Sequence, residues 1–124
     1  MADGLLRTAA ALLAAVLLLA CGDGGSRGDG AAAAGGEAEL VARGERVFLA
    51  NCTACHATDP GVDGPIGPPL AGSSLELLRA KVIHGEYPPG YVPQRETSAM
   101  VPLPHVEPDL PALAAYLASV EREG

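Results

Sequence analysis

The residues best equipped for chemistry in this chain stand in five consecutive positions, Cys52-Thr53-Ala54-Cys55-His56. Two thiols separated by two residues and followed at once by an imidazole form the attachment signature of c-type haem. The spacing has a physical reason: the thiols can add to the two vinyl groups of one porphyrin while the next residue turns its ring onto the iron. Covalent tethering raises the local concentration of iron at His56, which keeps ligation favourable in a small protein. Two other chemistries use paired cysteines. A redox dithiol usually opens a helix in a βα setting, whereas this motif follows a helical pattern and leads into a Gly/Pro-rich segment. A structural zinc site needs about four ligands, and the remaining cysteine, Cys21, lies at the end of an apolar leader. One covalent haem c is the expected cofactor, bound through Cys52 and Cys55 and ligated by His56.

The elements that must position this motif are helical. From Glu37 to Ala50 the residues Leu40, Val41, Gly44, Val47 and Phe48 fall at helical spacing, with Glu37 and Glu39 in the first turn. Gly44 on that stripe costs about 1 kcal/mol of propensity relative to Ala, which suggests close approach by another helix. Ser73 with Glu76 makes a capping box for a second helix from about Ser74 to His84, closed by Gly85. A last helix is expected from Asp109 as N-cap, with Leu113, Tyr116, Leu117 and Val120 on one face. Segments 59–69 and 86–108 are Pro/Gly-rich and read as loops that wrap a cofactor. No segment alternates like a strand, so the expected fold class is all-α, three to four short helices around one haem.

Together the motif and these elements make residues 37–124 resemble a monohaem class I cytochrome c. The resemblance implies further site residues. Gly67-Pro68-Pro69-Leu70 is similar to the family's Gly-Pro-x-Leu loop, implying that the Pro68 carbonyl accepts a hydrogen bond from His56 Nδ1 and that Leu70 packs on the haem. Gly44, Phe48 and Tyr116 match the positions where the first and last helices cross. Met100, the one methionine left once a leader carrying Met1 is removed, sits on the long loop where the family places its thioether ligand. Met100 is the expected sixth ligand; His105, His84 and an open or water-bound position are the alternatives. The choice matters, because Met/His ligation raises the potential and closes the iron to other ligands. Tyr87, Tyr91 and Arg95 are candidates to hydrogen-bond the propionates.

The start of the chain reads as a targeting signal. Arg7 precedes an apolar run from Thr8 to Ala20, shorter than the about 20 residues needed to span a bilayer. The ending Leu-Leu-Ala-Cys resembles a bacterial lipobox. The expected organisation is a signal peptide over 1–20, a lipidated Cys21 with a flexible Gly/Ala-rich tether over 21–36, and the haem domain over 37–124. The tether would reach roughly 20 Å. The formal charge of −7, from 15 acidic against 8 basic residues, disfavours nucleic acid and favours redox partners, donor and acceptor, with basic docking patches. These features lead to an electron carrier of the bacterial cell envelope, lipid-anchored on the periplasmic side of a membrane, rather than an enzyme. The alternatives are a haem subunit fixed in a larger oxidoreductase and a haem enzyme or gas sensor with an open sixth position.

Overall fold

The computed structural model describes residues 28–96 and 98–121, with side chains from residue 35 onward. The expected signal peptide over 1–20, Cys21 and the first part of the expected tether lie outside the described residues. The chain divides into two units, Met1–Ala34 and Gly35–Gly124. Every side chain discussed below belongs to the second.

Helix α1 runs from Gly28 to Asn51. It begins ahead of the expected Glu37, so residues 28–36, read as flexible tether, have helical backbone. The run Ala31–Ala34 accounts for this, since alanine has the highest helix propensity and offsets the cost of the flanking glycines. Phe48 and Gly44 are buried, whereas Leu40, expected on the inner stripe, is exposed. No helix among the described residues is long and apolar enough to cross a membrane.

Helix α2, Leu75–Leu78, continues into a π-helical turn, Arg79–Ile83. The cap falls one residue later than the expected Ser73: Ser74 Oγ accepts from the Leu77 amide at 3.1 Å. Ser73 is instead buried, and its own amide donates to Leu70 O. Gly85, at φ 74°, ends the helix in the left-handed conformation that glycine adopts without strain. Where the π turn closes, the Val82 carbonyl accepts the Leu103 amide at 2.6 Å and fastens the far end of the long loop.

That loop is shorter than its proline content suggests, because Pro104–Asp109 forms a 3-10 helix that buries Val106. Helix α3, Leu110–Ser119, follows directly. Asp109 occupies the N-cap position without a side-chain cap bond: the Leu110 amide donates to Glu107 O, and Pro111, the second helical residue, has no N–H to offer. The Asp109 carboxylate pairs with Arg43 of α1 instead, Nε to Oδ1 2.7 Å. Leu110, Leu113 and Leu117 are buried, while Val120 lies past the helix end with extended backbone. A Cβ at Gly44 would overlap the Ala112 carbonyl and Tyr116 Cβ, so α1 and α3 cross in backbone contact. Beside the crossing, the rings of Phe48 and Tyr116 meet at 5.6 Å between centroids. No strand occurs among the described residues, and the fold is all-α, as expected.

Candidate functional site

Helix α1 unwinds at the motif. The Cys52 amide still bonds to Phe48 O, at 2.9 Å, after which the amides of Cys55 and His56 both turn back to Cys52 O, at 3.2 and 3.0 Å. This reverse turn brings Cys52, Cys55 and His56 onto the lining of one cleft, which Pro68, Leu70 and Met100 also line. The expected site residues of the second unit therefore share a single cleft. Its apolar wall comes from α2, the π turn and α3, through Leu78, Val82, Leu113 and Leu117.

His56 is buried, and its Nδ1 lies 2.8 Å from Pro68 O. A carbonyl only accepts, so Nδ1 donates, and in the neutral ring that tautomer leaves the Nε2 lone pair for a metal. The segment before Pro68 closes around the ring. Ile66 and Gly67 donate their amides to Cys55 O at 3.1 and 2.8 Å, and Gly64 donates to Gly67 O at 3.0 Å. A Cβ at Gly67 would overlap the His56 imidazole, so only glycine lets the turn approach this closely. Leu70 and Ala71 donate their amides to Pro60 O, which fixes the exit of the loop.

The two cysteines are unpaired thiols. Burial pushes the Cys52 thiol up to about 11. Reactive dithiols and metal-binding cysteines need the opposite shift, toward thiolate. Among the described residues no group of three or more His, Cys, Asp or Glu is arranged to hold a metal ion. A largely apolar cleft with one imidazole nitrogen, one thioether and two thiols has the chemistry to hold an iron porphyrin.

Of the sixth-ligand alternatives, Met100 is half-buried, packs on the core and lines the cleft. His84 and His105 are exposed and do not line it. His105 Nε2 donates to Asn51 Oδ1 at 3.1 Å, and that amide is oriented by its own Nδ2 donating to Val47 O. Tyr87 and Tyr91 line the cleft as a stacked pair, 5.3 Å between centroids, with Lys81 Nζ 4.2 Å above the Tyr87 ring. Arg95 also lines the cleft, but its guanidinium is engaged by Ile66 O at 2.8 Å and Asp63 Oδ1 at 2.5 Å. That engagement and the Asn51–His105 bond were not foreseen from sequence. Both join residues far apart in the chain, which no local spacing announces.

The sequence model of the family described as cytochrome C oxidase, cbb3-type, subunit III matches residues 39–117. No curated protein and no solved structure matches the chain.

Proposed function

Because the chain belongs to the family of cytochrome c oxidase, cbb3-type, subunit III, and so has a c-type cytochrome domain with covalent haem c and a role in haem-based electron transfer, we propose that it is a monohaem electron carrier of the bacterial cell envelope with His56 and Met100 as axial ligands. Cys52 and Cys55 would form the two thioethers. The observation that carries this reading is the arrangement around His56: Nδ1 is held by Pro68 O, and the Met100 thioether, on the long loop, lines the same cleft.

When bound, haem c supplies an iron that accepts and releases one electron. The chain's own residues keep the geometry constant through that change. The Pro68 carbonyl orients the imidazole through Nδ1, and Gly67, lacking a side chain, lets the turn close on the ring. The Met100 thioether, a soft neutral donor, would hold the iron on the other side, favour its reduced state and leave no position for exogenous ligands. The aliphatic wall of Leu78, Val82, Leu113 and Leu117 would give bound haem an apolar surrounding, which raises the potential.

The signal over residues 1–20 and lipidation at Cys21 would place the domain on the periplasmic side of a membrane. A lipid anchor is the form of attachment that suits a leader too short to span. In cells, Cys21→Ala is expected to move the protein from the membrane fraction to the soluble fraction and to abolish labelling by a fatty-acid analogue. Unchanged membrane association would overturn the anchor.

The ligand assignment is tested by spectroscopy with potentiometry. The wild type is expected to show the long-wavelength methionine-to-iron absorption band and to refuse carbon monoxide in the ferrous state. Met100→Ala is expected to lose the band and lower the potential. Retention of both would overturn the assignment, and rapid carbon monoxide binding by the wild type would favour an open-site enzyme or sensor. A second reading, a haem subunit fixed in a larger oxidoreductase, is favoured by the family's description as an oxidase subunit. Co-migration with a large complex in native gels of membrane extract would support it.

A further inference from the structure

Arg95 stands near the middle of the Pro-rich loop 86–103, five positions before Met100. Its half-buried guanidinium is directed at the turn 63–66. It donates to Ile66 O at 2.8 Å, to Gly64 O at 3.4 Å from each terminal nitrogen, and to Asp63 Oδ1 at 2.5 Å. The neighbouring Gln94 donates Nε2 to Pro69 O at 3.3 Å. The carbonyls of residues 64, 66 and 69 thus accept from the long loop, while the carbonyl of residue 68, lying between them, accepts from His56. The same turn is bound through its amides to Cys55 O. One short segment is therefore gripped on one side by the motif and on the other by the loop that carries Met100.

We propose that Arg95 is a positioning residue for the sixth ligand, clamping the Met100 loop to the turn Gly64–Gly67 that orients His56. The proposal rests on the reading of Met100 as a ligand. The loop is fastened at its ends by Glu86 N to Ala80 O and Leu103 N to Val82 O. A mid-loop anchor divides the intervening chain into two shorter segments, and shorter segments wander less from a fixed position. Arginine suits the task because its planar fork offers several donors in fixed directions, enough for two carbonyls and a carboxylate at once; lysine offers a single centre. The carbonyl bonds distinguish this clamp from a surface ion pair, which would contribute little by itself. Loosening the loop lets the thioether leave the iron more often, and exogenous ligands then compete better.

The test uses the ferric holoprotein and free imidazole as the competing ligand. Arg95→Gln is expected to tighten imidazole binding by about tenfold, equivalent to about 1.4 kcal/mol, and to weaken the methionine-to-iron band. Arg95→Lys is expected to restore part of the wild-type affinity, and it carries the test if the glutamine variant does not accumulate. Arg43→Gln, which removes the α1 partner of Asp109 away from the cleft, is expected to leave imidazole affinity at the wild-type value. A folded Arg95→Gln, or Arg95→Lys in its place, with wild-type imidazole affinity would overturn the clamp. So would an equal shift in Arg43→Gln, because the effect would then be general loosening. A wild type without the methionine band, or a band that survives Met100→Ala, would overturn the ligand reading and the clamp with it. A wild-type band with unchanged affinity in the Arg95 variants would overturn the clamp alone.

Discussion

His56 owes its orientation to contacts from a single turn, and each makes a different demand. The Pro68 carbonyl needs a protonated Nδ1, the Ile66 and Gly67 amides hold the turn against Cys55 O, and Gly67 must lack a side chain. Gly67→Ala is the sharpest probe, because a Cβ there meets the ring itself rather than a movable chain end. We expect it to destabilise the holoprotein by about 1–3 kcal/mol, the usual cost of forcing extra volume into a packed site, read from urea unfolding followed by haem absorbance. A shifted potential in the same variant would report rotation of the imidazole. The motif was legible from sequence because its chemistry demands contiguous residues. Arg95 was visible there as a candidate propionate donor, yet its partners lie 29 to 32 positions away and leave no local trace.

Helix ends show where local patterns suffice and where packing overrides them. Gly85 stops the second helix as its type and position indicate, and Gly44 lies at the crossing that its cost in propensity implied. Gly44→Ala would gain about 1 kcal/mol of helix propensity but must push α3 away from α1. Net destabilisation is therefore expected by thermal unfolding, and a rise in Tm would mean the helices separate without penalty. Ser74→Ala should cost about 1 kcal/mol, measured the same way, because Ser74 and not Ser73 holds the Leu77 amide. The two serines share a residue type, and the buried turn at Leu70 decides between them. The 3-10 helix at Pro104–Asp109 escaped the sequence reading because prolines at 104 and 108 mask any periodicity. Burial of Val106 and the Leu103–Val82 hydrogen bond organise it through tertiary contacts. At the helical start the reverse holds: the glycines around Ala31–Ala34 point to a tether, yet the propensity of the four alanines carries the helix back to Gly28.

The domain has few large side chains to spend on a core, with no Trp and one Phe in the whole chain. Its largest fully buried side chains, Phe48, Leu110, Leu113 and Leu117, all come from α1 and α3, while much of the remaining apolar surface faces the cleft. A Cys52→Ala/Cys55→Ala chain, unable to retain haem covalently, is expected to lose most of its helical circular dichroism, since that surface would then face water. The acidic charge of −7 predicts that electron exchange with a basic redox protein slows as salt rises from about 10 mM to 150 mM, as the Debye length shortens. A rate independent of salt would show that charge does not steer the encounter. The spacing of the contacts also sets an order in time. His56 and Pro68 are 12 residues apart, Arg95 and Ile66 are 29 apart, and Arg43 and Asp109 are 66 apart. On a chain made from its N-terminus, the pocket for the imidazole can close while the residues beyond 70 are still being added. By the same ranking the Arg95–Ile66 contact is expected to close next, and the Arg43–Asp109 contact between α1 and α3 last. Short loops also close at less entropic cost, so synthesis and chain entropy favour the same sequence of events. Haem attached at Cys52 and Cys55 would therefore find the His56 side of the cleft cheaper to close than the Met100 side, the order that chain entropy favours.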